Sequence, residues 1–304
     1  MRIAIAGQGP LADAAMRGLA TRSHTVAALV WNGRRVGYAR RLRMRACEAF
    51  HSSSSMRIPI VWLDSMDEGN AADLARLDID LLVSCGLDRI LKPAILRAPR
   101  NGCINIHPSL LPRHRGPNPT AHVLLSGDAE TGISIHRMDE GIDTGPLLAQ
   151  FRHAVDHRDT GLDLIRKACQ LTEEKIAGIV KSLDQAQPVP RSDADVSYAG
   201  WLSDDQLTFE WHWKACEIDR LIRAAQPYAC ARFRLGDRSI FVQRADLDEA
   251  DPGVEPGTVM RTGPQPRIAA EGGAITILRA RIDTPFTFPW PTPWNAPRKG
   301  ERIR

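Results

Sequence analysis

No run of about 18 apolar residues occurs in the 304-residue chain, so no membrane-spanning helix is expected. The first residues, MRIAIAGQGPLADAAM, lack the long apolar stretch and cleavage site of a secretory signal. Six cysteines are present (Cys47, Cys85, Cys103, Cys169, Cys216 and Cys230), but they form no CxxC pair and no Cys/His cluster with zinc spacing. No metal site is therefore expected, and the thiols read as small buried hydrophobes of a reduced, cytoplasmic protein. A strong excess of one charge is also missing. Forty Lys and Arg stand against 36 Asp and Glu, a net charge of +4 that does not by itself imply a nucleic-acid partner. No internal repeat is found. What remains is ordinary globular composition, 43% hydrophobic and 25% charged, in a chain long enough for two domains with full cores.

The first half alternates short apolar runs with helical spacing. Strands are expected at Arg2 to Ala6, Thr25 to Trp31, Pro59 to Leu63, Asp80 to Ser84, Gly102 to His107 and Thr131 to His136. Helices are expected at Leu11 to Ala20, at Gly37 to Phe50 and, in one long amphipathic stretch, at Gly161 to Asp184. Strands separated by helices of this length predict βαβ units: an α/β, Rossmann-like, mainly parallel sheet over residues 1–185. Residues 186–200 are polar and proline-bearing and read as a linker. Residues 201–304 carry short β-like runs at even spacing and one helix, Ala215 to Ala225, which predicts a smaller β-rich C-terminal domain, an OB-like barrel. The end, PFTFPWPTPWNAPRKGERIR, is proline-rich and reads as an irregular tail.

Gly7-Gln8-Gly9-Pro10-Leu11-Ala12 fits GxGxxA between a strand and a helix, where backbone amides can hold a pyrophosphate. The second strand, however, ends Val30-Trp31-Asn32 and supplies no carboxylate for a ribose, so a tight turn without a nucleotide is the competing reading.

The segment from Cys103 to Gly145 carries more chemistry. Asn105 and His107 alternate on a strand and share a face, and Asp143 follows in the glycine-flanked loop Gly141-Ile142-Asp143-Thr144-Gly145. An amide, an imidazole and a carboxylate at the carboxyl edge of a sheet suit acyl transfer. No Ser or Cys nucleophile pairs with this histidine in a recognisable motif, so direct transfer through a tetrahedral intermediate fits better than a covalent enzyme intermediate. On that reading Asn105 and His107 offer N–H groups to an oxyanion, and Asp143 orients His107 and helps remove the amine proton. The competing reading is that Asn105 and His107 only satisfy backbone groups beside a tight loop.

NIHPSLLPRHRG followed by GDAETGISIHRMDEGIDTGPLL resembles the signature of the formyltransferases that use 10-formyltetrahydrofolate. That family includes methionyl-tRNA, glycinamide ribonucleotide and sugar N-formyltransferases. The upstream stretch SCGLDRILKPAILRAPRNG resembles the family's folate-pocket strand and helix, and LTFEWHWKACEIDRLIRAAQPYACARFRLGDRSIFVQRADL resembles the start of its smaller C-terminal domain. The resemblance implies Asn105, His107 and Asp143 as catalytic residues. It implies a folate pocket made by Arg89, Ile90 and Leu91, the loop Ser109, Leu110, Leu111 and Pro112, and the turn Asp139, Glu140, Gly141 and Ile142, with a cis bond at Leu111-Pro112.

The acceptor is less determined. The family's tRNA-acting members usually carry RGAAP where this chain has Arg115-Gly116-Pro117-Asn118-Pro119, a proline-containing basic insertion where it has NGRRVGYARRLRMR, and a final helix where it has FPWPTPW. These departures favour a small amine acceptor (an amino sugar, an amino acid or a biosynthetic intermediate), with initiator methionyl-tRNA as the alternative. The arginines Arg34, Arg35, Arg40, Arg41, Arg43 and Arg45 read equally as a phosphate-binding patch or a solvated helix face. Trp290 and Trp294 read as packing against the C-terminal domain rather than as stacking platforms.

Overall fold

Apolar runs such as RIAIAG can be buried on both faces of a sheet only if helices cover both sides, and the chain is built that way. The computed structural model describes residues 1–20, 23–32, 55–63, 68–87, 89–185, 187, 194–282 and 298–303. The expected helix at Gly37 to Phe50, the arginines from Arg34 to Arg45, Trp290 and Trp294 lie outside these residues. Among the described residues no helix is long and apolar enough to cross a membrane.

The chain runs β1 (Arg2–Gly7), α1 (Pro10–Leu19), β2 (Thr25–Asn32), β3 (Ile60–Leu63), α2 (Glu68–Ala75), β4 (Leu81–Cys85), α3 (Pro93–Arg97), β5 (Cys103–His107), α4 (Pro119–Ser126), β6 (Glu130–Arg137), β7 (Leu147–Ala154) and α5 (Gly161–Lys181). The seven strands form one sheet in the order β3-β2-β1-β4-β5-β6-β7. The first five are parallel, and β6 and β7 are antiparallel additions at one edge. Alternation sorts the side chains. Ile3, Ile5, Val83, Ile104, Ile106, Ile133 and Ile135 pack in one cluster with Leu11, Met16 and Leu19 of α1 and Ile176 and Val180 of α5. Ala4, Ala6, Leu82 and Cys103 pack on the other side with Leu74 of α2, Ile95 of α3 and Leu91 just before α3.

The GxGxxA turn has a packing explanation. Gly7 has φ 154°, and a Cβ there would stand 1.9 Å from the Cys85 carbonyl oxygen. The first glycine is thus demanded by the approach of β1 to β4, and Pro10 opens α1 with a φ already suited to a helix.

Two compact units are found. The first comprises Met1–Pro119, Ala129–Val155 and Asp163–Gly200; the second comprises Thr120–Asp128, Asp156–Leu162 and Trp201–Arg304. Most of α4 therefore groups with the second unit, where Leu125 packs on its core and Gly127 lies against the Arg220 guanidinium. That unit contains α6 (Ala215–Ala224), β8 (Ala231–Leu235), β9 (Arg238–Asp248), β10 (Val259–Arg261), β11 (Arg267–Ala270) and β12 (Gly273–Ile282). Its five strands are antiparallel in the order β10-β11-β12-β9-β8. Phe209, Trp211 and Phe233 meet at ring-centroid distances of 5.0 to 5.5 Å and anchor its core.

Replacing Gly7 by Ala forces a methyl group into the β4 backbone. The expected loss is about 2–3 kcal/mol of unfolding free energy, read from the midpoint of a urea titration. A midpoint equal to that of the unmodified chain would show that the strands separate at no cost.

Candidate active site

β5 carries apolar and polar chemistry on opposite faces. Ile104 and Ile106 enter the α1/α5 cluster, so Asn105 and His107 face the other way. The antiparallel partner β6 does the same: Ile133 and Ile135 are apolar and buried with Ile104, while Ser134 and His136 join the polar face. Register sets Asn105 opposite His136 and His107 opposite Ser134. Four polar side chains from two strands are thereby gathered at one end of the sheet.

Asp143 closes the group. The preceding turn is tied by Asp139, whose Oδ1 accepts from the Gly141 N–H at 3.1 Å and the Thr144 hydroxyl at 2.6 Å. Asp143 itself has φ 53°, a left-handed conformation that is uncommon outside glycine and that aspartate tolerates. Its Oδ2 accepts from the Gly116 N–H at 2.8 Å and lies 3.5 Å from His107 Nδ1. Its Oδ1 accepts from the Asn105 amide at 3.1 Å and lies 3.3 Å from His136 Nε2. The Asn105 amide nitrogen is also 3.3 Å from His136 Nε2, and His136 Nδ1 donates to the Arg137 carbonyl at 2.7 Å. Asn105, His107 and Asp143 are therefore brought together, and His136 joins them. The sequence reading passed over His136, although the alternation in Ile133-Ser134-Ile135-His136 that marks the strand also places it beside Ser134.

The loop from Ser109 to Gly116 is clamped from both sides. The Ser134 hydroxyl donates to the Ser109 carbonyl at 2.7 Å and accepts from the Leu111 N–H at 3.0 Å and from Gln150 Nε2 at 2.9 Å. Gln150 Nε2 also reaches the Leu111 carbonyl at 2.8 Å. The Leu111-Pro112 bond is cis. Ser197 and Ala199, inside the span read as linker, pair with the other end of the loop. The Arg115 N–H donates to the Ser197 carbonyl at 2.8 Å, and the Ala199 carbonyl accepts from Asn118 at 3.1 Å.

The remaining residues expected at a ligand pocket fall into three sets. Leu110 and Pro112 are half-buried. Leu91, Ser109 and Leu111 are buried within the protein, where they shape the site. Ile90 and Ile142 stay 59% and 47% exposed, an unusual position for large aliphatic side chains, and Arg89, Asp139, Glu140 and Gly141 are exposed beside them in sequence.

Burial governs the protonation states. It pushes His107 below the ordinary imidazole value of 6.5, although Asp143 and the His114 carbonyl pull the other way. Burial alone raises Asp143, but His107, His136 and the Gly116 N–H outweigh it and hold the carboxyl well below the usual carboxylate range. At neutral pH the pair is thus a neutral imidazole beside a carboxylate. His107 Nε2 lies 2.8 Å from the His114 carbonyl. A carbonyl only accepts, so Nε2 carries the proton and Nδ1 presents its lone pair on the Asp143 side. A proton taken at Nδ1 produces an imidazolium held between a carbonyl and a carboxylate, the arrangement of a general base with its charge stabiliser. Both recorded contacts of the Asn105 amide nitrogen are inside the cluster, so in this arrangement Asn105 fixes Asp143 and His136; an N–H offered to an oxyanion has to be exchanged out of that contact.

A profile of the formyl transferase family matches residues 1–180, and that of the formyl transferase C-terminal domain matches residues 202–295. The chain is 35% identical to a methionyl-tRNA formyltransferase of Acidiphilium cryptum over 264 residues, 86% of this chain and 85% of the relative. It is 30% identical to one of Thiobacillus denitrificans over 280 residues, 91% and 90% of the two chains. Among solved structures, HypX from Aquifex aeolicus aligns with a TM-score of 0.68 at 16% identity over 93% of this chain, which spans only 45% of that longer protein. The sugar 3N-formyl transferase WlaRD, solved in the presence of dTDP and 5-N-formyl-THF, aligns with a TM-score of 0.66 at 20% identity over 91% of this chain and 97% of its own.

The His107 ring is expected to titrate below 6.5 in an NMR titration of its carbon-bound protons. Because Asp143 raises that value, Asp143→Asn is expected to move it lower still. The unfolded chain binds the His107 proton at higher pH than the folded chain does, so stability falls as pH drops below 6.5, and Asp143 adds to the loss below its ordinary 3.8. A His107 resonance that titrates above 6.5 would contradict the assignment of a neutral base.

Proposed function

The chain belongs to the formyl transferase family, and from that premise we propose that it moves the formyl group of 10-formyltetrahydrofolate onto the amine of methionyl initiator tRNA. The observation that carries the acceptor is the similarity to methionyl-tRNA formyltransferases over 86% and 91% of the chain, through both matched domains. This replaces the preference for a small amine drawn from the sequence. Of the three departures behind that preference, the basic stretch and the tail lie largely outside the described residues. The third, Arg115 to Pro119, has a structural use: Arg115 and Asn118 bond to Ser197 and Ala199 and shape the site loop.

The residues present fit a folate. A flat ring system with a polar edge requires apolar walls and backbone hydrogen-bonding groups, and the exposed Ile90 and Ile142 with the backbone of Ser109–Pro112 and Asp139–Ile142 have that chemistry. Arg89, Ile90, Leu110, Pro112, Asp139, Glu140, Gly141 and Ile142 would hold it, while the buried Leu91, Ser109 and Leu111 support them. The folate supplies a formyl carbon already activated toward attack.

The chain's own groups do the rest. His107 Nδ1 takes the proton of the attacking amine. Asp143 stabilises the imidazolium so formed and keeps the ring in register through the Gly116 N–H. The Asn105 amide is the donor for negative charge developing on the carbonyl oxygen, once exchanged out of its contact with Asp143, whereas the His107 Nε2–H stays with the His114 carbonyl. Desolvation of the cluster strengthens each of these interactions.

Replacement of His107 by Ala, or of Asp143 by Asn, is expected to lower turnover by at least about 100-fold. The assay is release of tetrahydrofolate from 10-formyltetrahydrofolate, with methionyl initiator tRNA offered beside a panel of amino sugars and amino acids. Turnover with the tRNA is expected. Turnover with a small amine and none with the tRNA would overturn the acceptor, and wild-type rates in either variant would remove that residue from the mechanism.

A further inference from the structure

His136 exchanges no proton with the attacking amine, yet it is buried and touches both Asn105 and Asp143. An apolar side chain of similar size would fill that place without enclosing a polar ring. The strand is shaped to deliver it. β6 and β7 pair one to one as far as Ile135 and Ala149, but the next pair is His136 and Leu147, so Leu148 is an extra residue on β7. A bulge raises the local twist and turns the side chains beside it, and this one falls at His136. The ring is then fixed by the Arg137 carbonyl, 2.7 Å from Nδ1. That stretch is itself anchored. The Arg137 N–H donates to the Pro146 carbonyl at 2.9 Å, the Arg137 guanidinium to the Asn101 carbonyl at 3.2 Å, and the Met138 N–H to the Cys103 carbonyl at 2.9 Å.

A carbonyl only accepts, so Nδ1 carries the ring proton, and Nε2 of the neutral ring is a lone pair. This lone pair stands 3.3 Å from Asp143 Oδ1. Two acceptors side by side repel unless a donor bridges them, and the Asn105 amide does so. Its nitrogen lies 3.1 Å from Asp143 Oδ1 and 3.3 Å from His136 Nε2, and it has two N–H groups, one for each. Two attachments fix the plane of the amide, where one leaves it free to turn about its last side-chain bond.

We infer that His136 is a positioning residue for formyl transfer, whose Nε2 keeps one N–H of Asn105 while the other is handed from Asp143 to the oxyanion. The inference rests on the reading that Asn105 meets that charge. The exchange is balanced at the carboxylate. As the amine attacks, its proton moves to His107 Nδ1, 3.5 Å from Asp143 Oδ2, so Asp143 gains the His107 N–H as it gives up that of Asn105. Without Nε2, an amide that leaves Asp143 loses both of its nitrogen's contacts in the cluster and has to be oriented again just as charge develops. Donors held in place beforehand are what lowers such a barrier. His136 therefore acts in the transition state and not in the binding of folate or acceptor.

The test is a double-mutant cycle on the full chain, read as release of tetrahydrofolate from 10-formyltetrahydrofolate with methionyl initiator tRNA. His136→Met fills the space without a comparable acceptor and is expected to lower kcat about 10-fold, with KM for folate and acceptor within about 2-fold. His136→Gln returns an amide oxygen near the position of Nε2 and is expected to recover most of the loss. In an Asn105→Ala background the Met substitution is expected to add less than about 2-fold, because Nε2 has nothing left to hold. A full further loss in that background overturns the inference, as does an unchanged kcat in His136→Met, equal loss in the Met and Gln variants, or wild-type turnover in Asn105→Ala alone. Nitrogen NMR of the ring needs no turnover: Nδ1 is expected to carry the proton and Nε2 to be unprotonated and hydrogen-bonded. A ring protonated at Nε2 accepts nothing from Asn105 there and overturns the inference as well. Turnover with an amino sugar or amino acid and none with the tRNA sinks the acceptor reading alone, and the same cycle run with that amine then decides the role of His136.

Discussion

The carboxylate of Asp143 is the charge around which the site is arranged. A mostly buried carboxylate is tolerable only where donors surround it, and here a backbone N–H of Gly116 and the amide of Asn105 supply them. The His107 and His136 rings stand beside it at 3.5 and 3.3 Å, so that a proton taken by His107 on that side meets the negative charge. The stretches that carry these groups are constrained for its sake. The loop before Gly116 is held by Ser134 and Gln150 on one side and by Ser197 and Ala199 on the other. Asp143 accepts a left-handed backbone, with Asp139 closing the turn that presents it. His114, whose carbonyl meets His107, is left-handed as well, so the uncommon backbone of the site sits at the charge and at the partner of the imidazole beside it.

The same two strands that hold the core hold the chemistry. In β5 and β6 the residues facing the α1/α5 cluster are isoleucines, and the alternate ones are Asn105, His107, Ser134 and His136. A slip of one residue in either strand would bury the polar set in the apolar cluster and expose the isoleucines, so packing energy fixes the register that the chemistry needs. β6 is antiparallel to β5, and this lets a second polar row face the first at close range without a crossover helix between them. Geometry of that kind explains how a neutral base, its charged partner and two further donors fit at one end of a sheet whose other strands are plain apolar spacers.

Much of this was legible in the sequence. The alternation in Cys103-Ile104-Asn105-Ile106-His107 marks a strand and puts two of the site's residues on one face, and the glycines around Asp143 mark its turn. The amphipathic period from Gly161 gives the long helix. Three features were not legible, for separate reasons. β7 (Leu147–Ala154) mixes apolar residues with Gln150, Arg152 and His153, because it is an edge strand with one wet side, and its pattern does not stand out. His136 reads as one more polar residue on an alternating strand until the antiparallel register sets it against Asn105. Ser197 and Ala199 lie in a polar, proline-bearing stretch, and their service to the site loop is made by backbone groups, which a sequence does not display. The preference for a small amine leans in part on Arg115 to Pro119, and in the structure Arg115 and Asn118 hold the site loop to Ser197 and Ala199.

Where the charges lie decides which of them salt can reach. Asp143, His107 and His136 are largely enclosed by the protein, so dissolved ions screen their mutual interactions little. Arg234, Arg244, Arg279 and Arg281 on the second unit's sheet are exposed, so dissolved ions screen them strongly. The balance that holds the Asp143 carboxyl below the usual carboxylate range is therefore set by packing and hydrogen bonds, which ionic strength does not alter, and it persists under conditions that erase the field of the surface arginines.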